Sequence, residues 1–166
     1  GVIDQLMKKG FKARGLDMLF YGNIPNGAGL SSSASIEVLT TFAISDLFAL
    51  ALDKITLVKM ARKAENEFVG VNCGIMDQFA VGMGKAGNAV FLDCATLEYD
   101  LVPLDLGTYK IVIANTNKQR KLSESKYNTR VEECAGAMKY LSKYKALDSL
   151  SDLSYQEFVD HKHLIP

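Results

Sequence analysis

The sequence predicts an α/β or α+β protein, on three observations. Apolar runs of strand length and composition lie at Leu16–Tyr21, Asn88–Cys94, Tyr99–Leu104 and Tyr109–Asn115. Long stretches with few breakers lie at 35–52, 56–69 and 125–143. The two kinds interleave, with no internal repeat, low-complexity segment or dividing linker, so they read as layers of one domain.

In chain order, Val2, Ile3, Leu6 and Met7 have helical spacing, so the chain opens in a helix. "LDMLFY", set between Gly15 and Gly22, reads as a strand. Ser35 to Leu52 is apolar apart from Glu37 and Asp46 and reads as a mostly buried helix. Thr56 is expected to cap the next helix, which runs to about Val69 with Leu57, Val58, Met60, Ala61, Ala64 and Phe68 on its inner side. A short helix follows over Gly74–Val81, then two strands, "NAVFLDC" and "YDLVPL". "YKIVIAN" is a further apolar strand. Ser125–Lys143 is an amphipathic helix, and the tail from Leu147 is helical in places and can begin a further region.

Composition bounds the function. Hydrophobic residues make up 48% and charged residues 23%, enough for a packed core. Lys and Arg number 19, as do Asp and Glu, so net charge is zero and bulk capture of nucleic acid or anionic membrane is disfavoured. Cys73, Cys94 and Cys134 are widely spaced without a CxxC, which argues against a disulfide framework or zinc site and for a reducing, cytoplasmic setting. His161 and His163, the two histidines, sit close to the end of the chain and carry no expected metal or acid–base role. No apolar run reaches the length of a membrane span, and there is no secretory leader pattern.

The densest chemical signal is "PNGAGLSSSASIEV", Pro25 to Val38. A flexible linker would continue in polar chain. This stretch instead lies between a predicted strand and a long apolar helix. A loop entering a helix N-terminus presents free backbone N–H groups and the positive end of the helix dipole, a ready anion site. Gly27 and Gly29 let backbone approach an anion closely. Ser31, Ser32 and Ser33 add hydroxyls, one of which could ligate Mg²⁺. Neither the Walker A pattern nor G-x-G-x-x-G fits, since there is no lysine here and Ser32 stands at the third glycine. The residues alone leave two readings: a phosphate loop, or a capped helix with an incidental Gly/Ser loop. "GVNCGIMDQF", Gly70 to Phe79, is similarly open. Asp77 near a helix start either complements the helix dipole or points a carboxylate into a cleft.

"PNGAGLSSSAS" closely resembles the phosphate loop of the GHMP small-molecule kinases. "AENEFVGVNCGIMDQF", "FLDCATLEYDLVPL" and "IANTN" resemble the galactokinase branch of that family, as does the spacing from Asn115–Asn117 to Tyr127. The likeness runs from about Leu16 to Tyr140. It implies the GHMP kinase N-terminal domain, of the ribosomal protein S5 domain 2-like type, in partial form. It also implies transfer of the ATP γ-phosphoryl to the C1 hydroxyl of galactose by a cytoplasmic, Mg²⁺-dependent, monomeric enzyme, with no nucleic-acid or membrane partner.

Position by position, the resemblance implies the following roles. Asp77 is the catalytic carboxylate beside the anomeric hydroxyl and also touches the sugar. Gly74 offers backbone near the sugar, and Tyr127 contacts it. Pro25, Gly27, Ala28, Gly29, Leu30, Ser31, Ser32, Ser33, Ala34 and Ser35 form the loop around the ATP phosphates. Ser33 and Glu65 attend the metal. Glu65 and Tyr127 each keep a plain alternative, a solvated helix charge and an ordinary amphipathic position. Cys73 reads as a packed small residue.

An isolated carboxylate, with a pKa of about 4, is a weak base for an alcohol, so a base role for Asp77 needs a cation close by. In galactokinases an arginine in a "GRxNLIGEHxDY"-like segment supplies it, and this chain has no such segment. It also lacks the family's later glycine-rich motif. The expectation is therefore an interior piece of a longer kinase that turns over poorly by itself. An N-acetylgalactosamine kinase and a non-catalytic galactose/ATP sensor remain as alternatives. The intact "GLSSSAS" favours the kinase.

Overall fold

The structure, a computed structural model, describes residues 1–12, 14–25, 28–115 and 127–166. These form two compact units, Gly1–Ser123 and Glu124–Pro166. The first holds α1 (Val2–Lys8), α2 (Ser32–Leu47), α3 (Lys54–Ala64), a π-helical turn (Glu65–Val69), α4 (Met76–Met83), β1 (Asn88–Leu92) and β2 (Tyr99–Pro103). The second holds α5 (Tyr127–Leu141) and α6 (Tyr155–His161), with short 3₁₀ turns beside α6.

Helix α2 is the hub of the first unit, packed by α1, α3 and α4. Its apolar composition follows from that position, because a helix covered on several sides needs no polar face. The buried threonines Thr40 and Thr41 stay helical by donating their hydroxyls back to the carbonyls of Ile36 and Glu37. One core cluster joins Leu6, Ile44 and Met60, the inner faces of α1, α2 and α3. A second joins Val58, Ile75 and Phe79 and carries α4 onto the β hairpin. Phe79 is wholly buried and meets Tyr99 edge-to-face at 5.2 Å. Burying a side chain of that kind contributes about 1.5–3 kcal/mol.

The hairpin pairs β1 and β2 antiparallel, with Asn88 opposite Pro103 and Leu92 opposite Tyr99. Asp93 closes it by accepting from the Ala95 and Thr96 backbone N–H groups, an Asx turn. In the second unit α6 starts with a capping box between Ser154 and Glu157, and His161 stacks on Tyr144 at 3.5 Å.

Several expectations are corrected. Asp53, not Thr56, caps α3, and its carboxylate accepts from the Thr56 N–H at 2.9 Å. The helix expected to continue to Val69 changes at Glu65 to a π-helical turn, in which the Gly70 N–H reaches the Glu65 carbonyl. The stretches at 16–21 and 109–115 form no strand. A strand needs a partner ladder, and Leu19 and Tyr21 stand 97% and 98% exposed. The helix expected over Ser35–Leu52 instead spans Ser32–Leu47, with Ala49 and Ala51 left-handed beyond it, and Phe68, expected on an inner face, is exposed; the remaining helix, hairpin and tail positions agree within a few residues. Among the described residues no helix is long and apolar enough to cross a membrane. Cys73, Cys94 and Cys134 are outside any disulfide.

Candidate functional site

The glycine–serine stretch leads directly into α2. Gly29 takes a left-handed φ of 73° and faces open space. Ser31, the residue before the helix, is also left-handed, at φ 53°, and its side chain does not cap the helix. Such a conformation is uncommon for serine and costs energy that the surrounding structure must offset. The consequence is a tight entry in which the Ser31 hydroxyl does not occupy the first N–H groups of α2, and a helix N-terminus favours an anion beyond its end. Ser31, Ser32 and Ser33 are all partly exposed there, and Ala34 turns into the core. Pro25, Ala28, Leu30 and Ser35 flank the same entry. Gly27 lies outside the described residues.

Ser33 and Glu37 are four residues apart on α2 and so share one face, with Cβ atoms about 5–6 Å apart. Glu37 in turn faces Glu65, the first residue of the π-helical turn, and the two are joined through Gln78 of α4. The Gln78 Nε2 lies 3.3 Å from Glu37 Oε2 and 3.5 Å from Glu65 Oε2. Glu65 is only 3% exposed, so it is not a solvated helix charge. Burial, then the neighbouring Glu65 carboxyl, push the Glu37 carboxyl up to about 8, against an ordinary 4.5. Two carboxyls share a poorly hydrated site, which favours the protonated form of Glu37.

The loop between the π-helical turn and α4 is held by its carbonyl at Cys73. Arg62 Nε donates to it at 3.2 Å and Asn66 Nδ2 at 3.4 Å, while the Cys73 thiol donates to Asn66 Oδ1 at 3.1 Å. Burial and the nearby Glu65 push that thiol's pKa up, which suits a packed residue rather than a nucleophile. Gly74 follows and is exposed. Asp77 stands in the first turn of α4 and is exposed, while its neighbours Gln78 and Phe79 are buried. The anchoring of α4 by its buried face therefore determines where Asp77 points.

The first unit thus draws together the serine turn, Glu37, Glu65 and the helix bearing Asp77. Tyr127 opens α5 in the second unit, 45% exposed. A cavity of about 300 Å³ reaches Glu37 from the side of Phe20, Thr40 and Phe68, without touching Asp77 or the serines. The Ser33 hydroxyl and Glu65 carboxylate are hard oxygen donors of the kind Mg²⁺ takes one or two at a time, its other positions going to water and phosphate. Among the described residues no cluster of three or more His, Cys, Asp or Glu is present. The donor chemistry fits Mg²⁺ in that shared manner.

Sequence reasoning passed over Glu37, Gln78, Arg62 and Asn66. A signal existed for two of them: Glu37 and Gln78 are polar residues set inside otherwise apolar helical runs.

The pattern of the GHMP kinases N terminal domain matches residues 1–85, just over half of the chain. The chain is 55% identical to the galactokinases of Clostridium tetani and Clostridium acetobutylicum, over 99% of its own length and 42% and 43% of theirs. It superposes on the crystal structure of Lactococcus lactis galactokinase complexed with galactose with a TM-score of 0.91. There the identity is 44%, and coverage is 99% of this chain and 43% of that one. The chain thus spans less than half the length of these relatives. The resemblance to the GHMP kinases and the α+β class are both borne out, and the chain belongs to the GHMP kinase family through its N-terminal domain.

Proposed function

We propose that the protein containing this chain transfers the γ-phosphoryl of ATP to the C1 hydroxyl of galactose. The observation that carries this reading is the whole-chain likeness to galactokinases, including one solved in complex with galactose. In this reading residues 1–166 are a single partial N-terminal domain of a cytoplasmic, monomeric enzyme.

The role read for each residue is the one the family resemblance implies. The entry from Gly29 to Ser33 offers backbone N–H groups and hydroxyls to the phosphates of ATP, where the α2 dipole favours negative charge. Ser33 and Glu65 would hold Mg²⁺, which would supply positive charge to offset that of the transferring phosphoryl. Asp77 accepts a hydrogen bond from the C1 hydroxyl and holds it in line, and with a cation close by it would also take the proton. Gly74 and Tyr127 contact the sugar. Transfer of this kind depends mainly on positioning and charge, which matches a site built from helix ends and buried carboxyls.

The test is ADP release by the full-length protein with Mg²⁺-ATP and galactose, N-acetylgalactosamine or mevalonate. Galactose-dependent turnover supports the reading, and preferential turnover of N-acetylgalactosamine redirects it to that sugar. Galactose binding without ADP release in any arm overturns it in favour of a sensor.

A further inference from the structure

Gln78 is 1% exposed, and its amide is unevenly used. The nitrogen has two hydrogens and two carboxyl neighbours, Glu37 at 3.3 Å and Glu65 at 3.5 Å. The oxygen Oε1 is buried without a hydrogen-bond partner among the described residues. Burying an unpaired acceptor is unfavourable, and a leucine or methionine in the same space would avoid it. Stability alone therefore does not account for an amide here. The two neighbouring carboxyls do call for a neutral donor able to bond both, which glutamine is and leucine is not.

Its place in the fold gives that donor a consequence. Glu37 lies one turn along α2 from Ser33. Glu65 begins the π-helical turn, and Gln78 is the residue after Asp77. One side chain thus ties the first turn of α4 to the two elements that carry the serine turn and the buried carboxylate.

We propose that Gln78 is a positioning residue: by bridging Glu37 and Glu65 it fixes the first turn of α4, and so the direction in which Asp77 points. This rests on the proposed galactose kinase reading. A group misplaced by about 1 Å from its reacting partner can lose on the order of 100-fold in rate. Loss of the bridge should therefore lower kcat while leaving the sugar's contacts in place.

The experiment uses the full-length protein and the variants Gln78→Leu, Gln78→Met, Asp77→Asn and Asp77→Asn/Gln78→Leu. Galactose-binding sites are titrated by calorimetry, kcat is expressed per binding site, and thermal unfolding is recorded alongside. Gln78→Met, close in size and flexible, serves if Gln78→Leu fails to fold. The expected result is a kcat lowered about 10- to 100-fold with the galactose KM within about threefold. In the Asp77→Asn background the same change should have little further effect, because Gln78 acts through Asp77. A substituted enzyme with unchanged kcat per site overturns the proposal, as does an equal loss with and without Asp77. Absence of galactose turnover in the unsubstituted protein overturns the functional reading, and this proposal with it.

Discussion

Gly82→Ala tests the packing that holds α4 in place. Gly82 lies in the last turn of α4, against α3 and α2. A methyl group there would sit 2.5 Å from Val58 Cγ2, 3.5 Å from Val38 Cγ1 and 3.6 Å from Phe42 Cζ. Carbon atoms pack at about 3.5–4.0 Å, so only the Val58 contact is an overlap, of about 1 Å. Val58 is fully buried, and valine in a helix holds one strongly preferred rotamer, so it cannot swing aside. Helix α4 must move instead. Overpacking of this kind costs about 1–3 kcal/mol. Alanine recovers at most about 1 kcal/mol through helix propensity. The net expectation is a loss of about 1–2 kcal/mol. At about 2–4 °C per kcal/mol for a domain of this size, Tm falls by about 2–8 °C, read by circular dichroism. The Val58→Ala background decides the cause. There the new methyl meets no Cγ2, so Gly82→Ala should be neutral or stabilising. An unchanged or raised Tm in the single variant, or the same loss in both backgrounds, would refute the reasoning.

Two further outcomes follow from the same core. Phe79→Ala removes the ring that joins α4 to Val58 and Tyr99, and should cost about 3–5 kcal/mol in a denaturant midpoint series. Glu37 gives a pH dependence of definite sign. Its carboxyl sits near 8 when folded, against 4.5 ordinarily, so the folded state holds the proton more tightly. That contribution to stability is full below the unfolded value and is lost as pH rises through the folded one. Stability should therefore decline between about pH 4.5 and about pH 8, and Glu37→Gln should flatten that slope in urea midpoints taken across the range.

How much was legible in the sequence depends on how local the causes are. The α2 entry, α4 and the β1–β2 hairpin were readable because glycines, helical periodicity and strand composition act over a few residues. The start of α3 was set three residues late, since Asp53 and Thr56 are both capping types and the carboxylate took the N–H. The strand readings at 16–21 and 109–115 failed because composition marks a segment fit to pair, while pairing needs a neighbour that no local pattern supplies. The serine turn and Asp77 were visible as motif residues. Their connection was not, because Glu37 and Gln78 are 41 residues apart and meet only after α2 and α4 pack together.

The central claim is that Asp77, held at the first turn of α4, performs the chemistry on a galactose hydroxyl. The most direct measurement is galactose 1-phosphate formation by the full-length protein and its Asp77→Asn variant, with galactose affinity measured in parallel. The account predicts a kcat lowered by about 10²–10⁴-fold, the range for loss of a positioned acid–base group, with galactose still bound at similar affinity. A variant that turns over galactose at nearly the unsubstituted rate would contradict it.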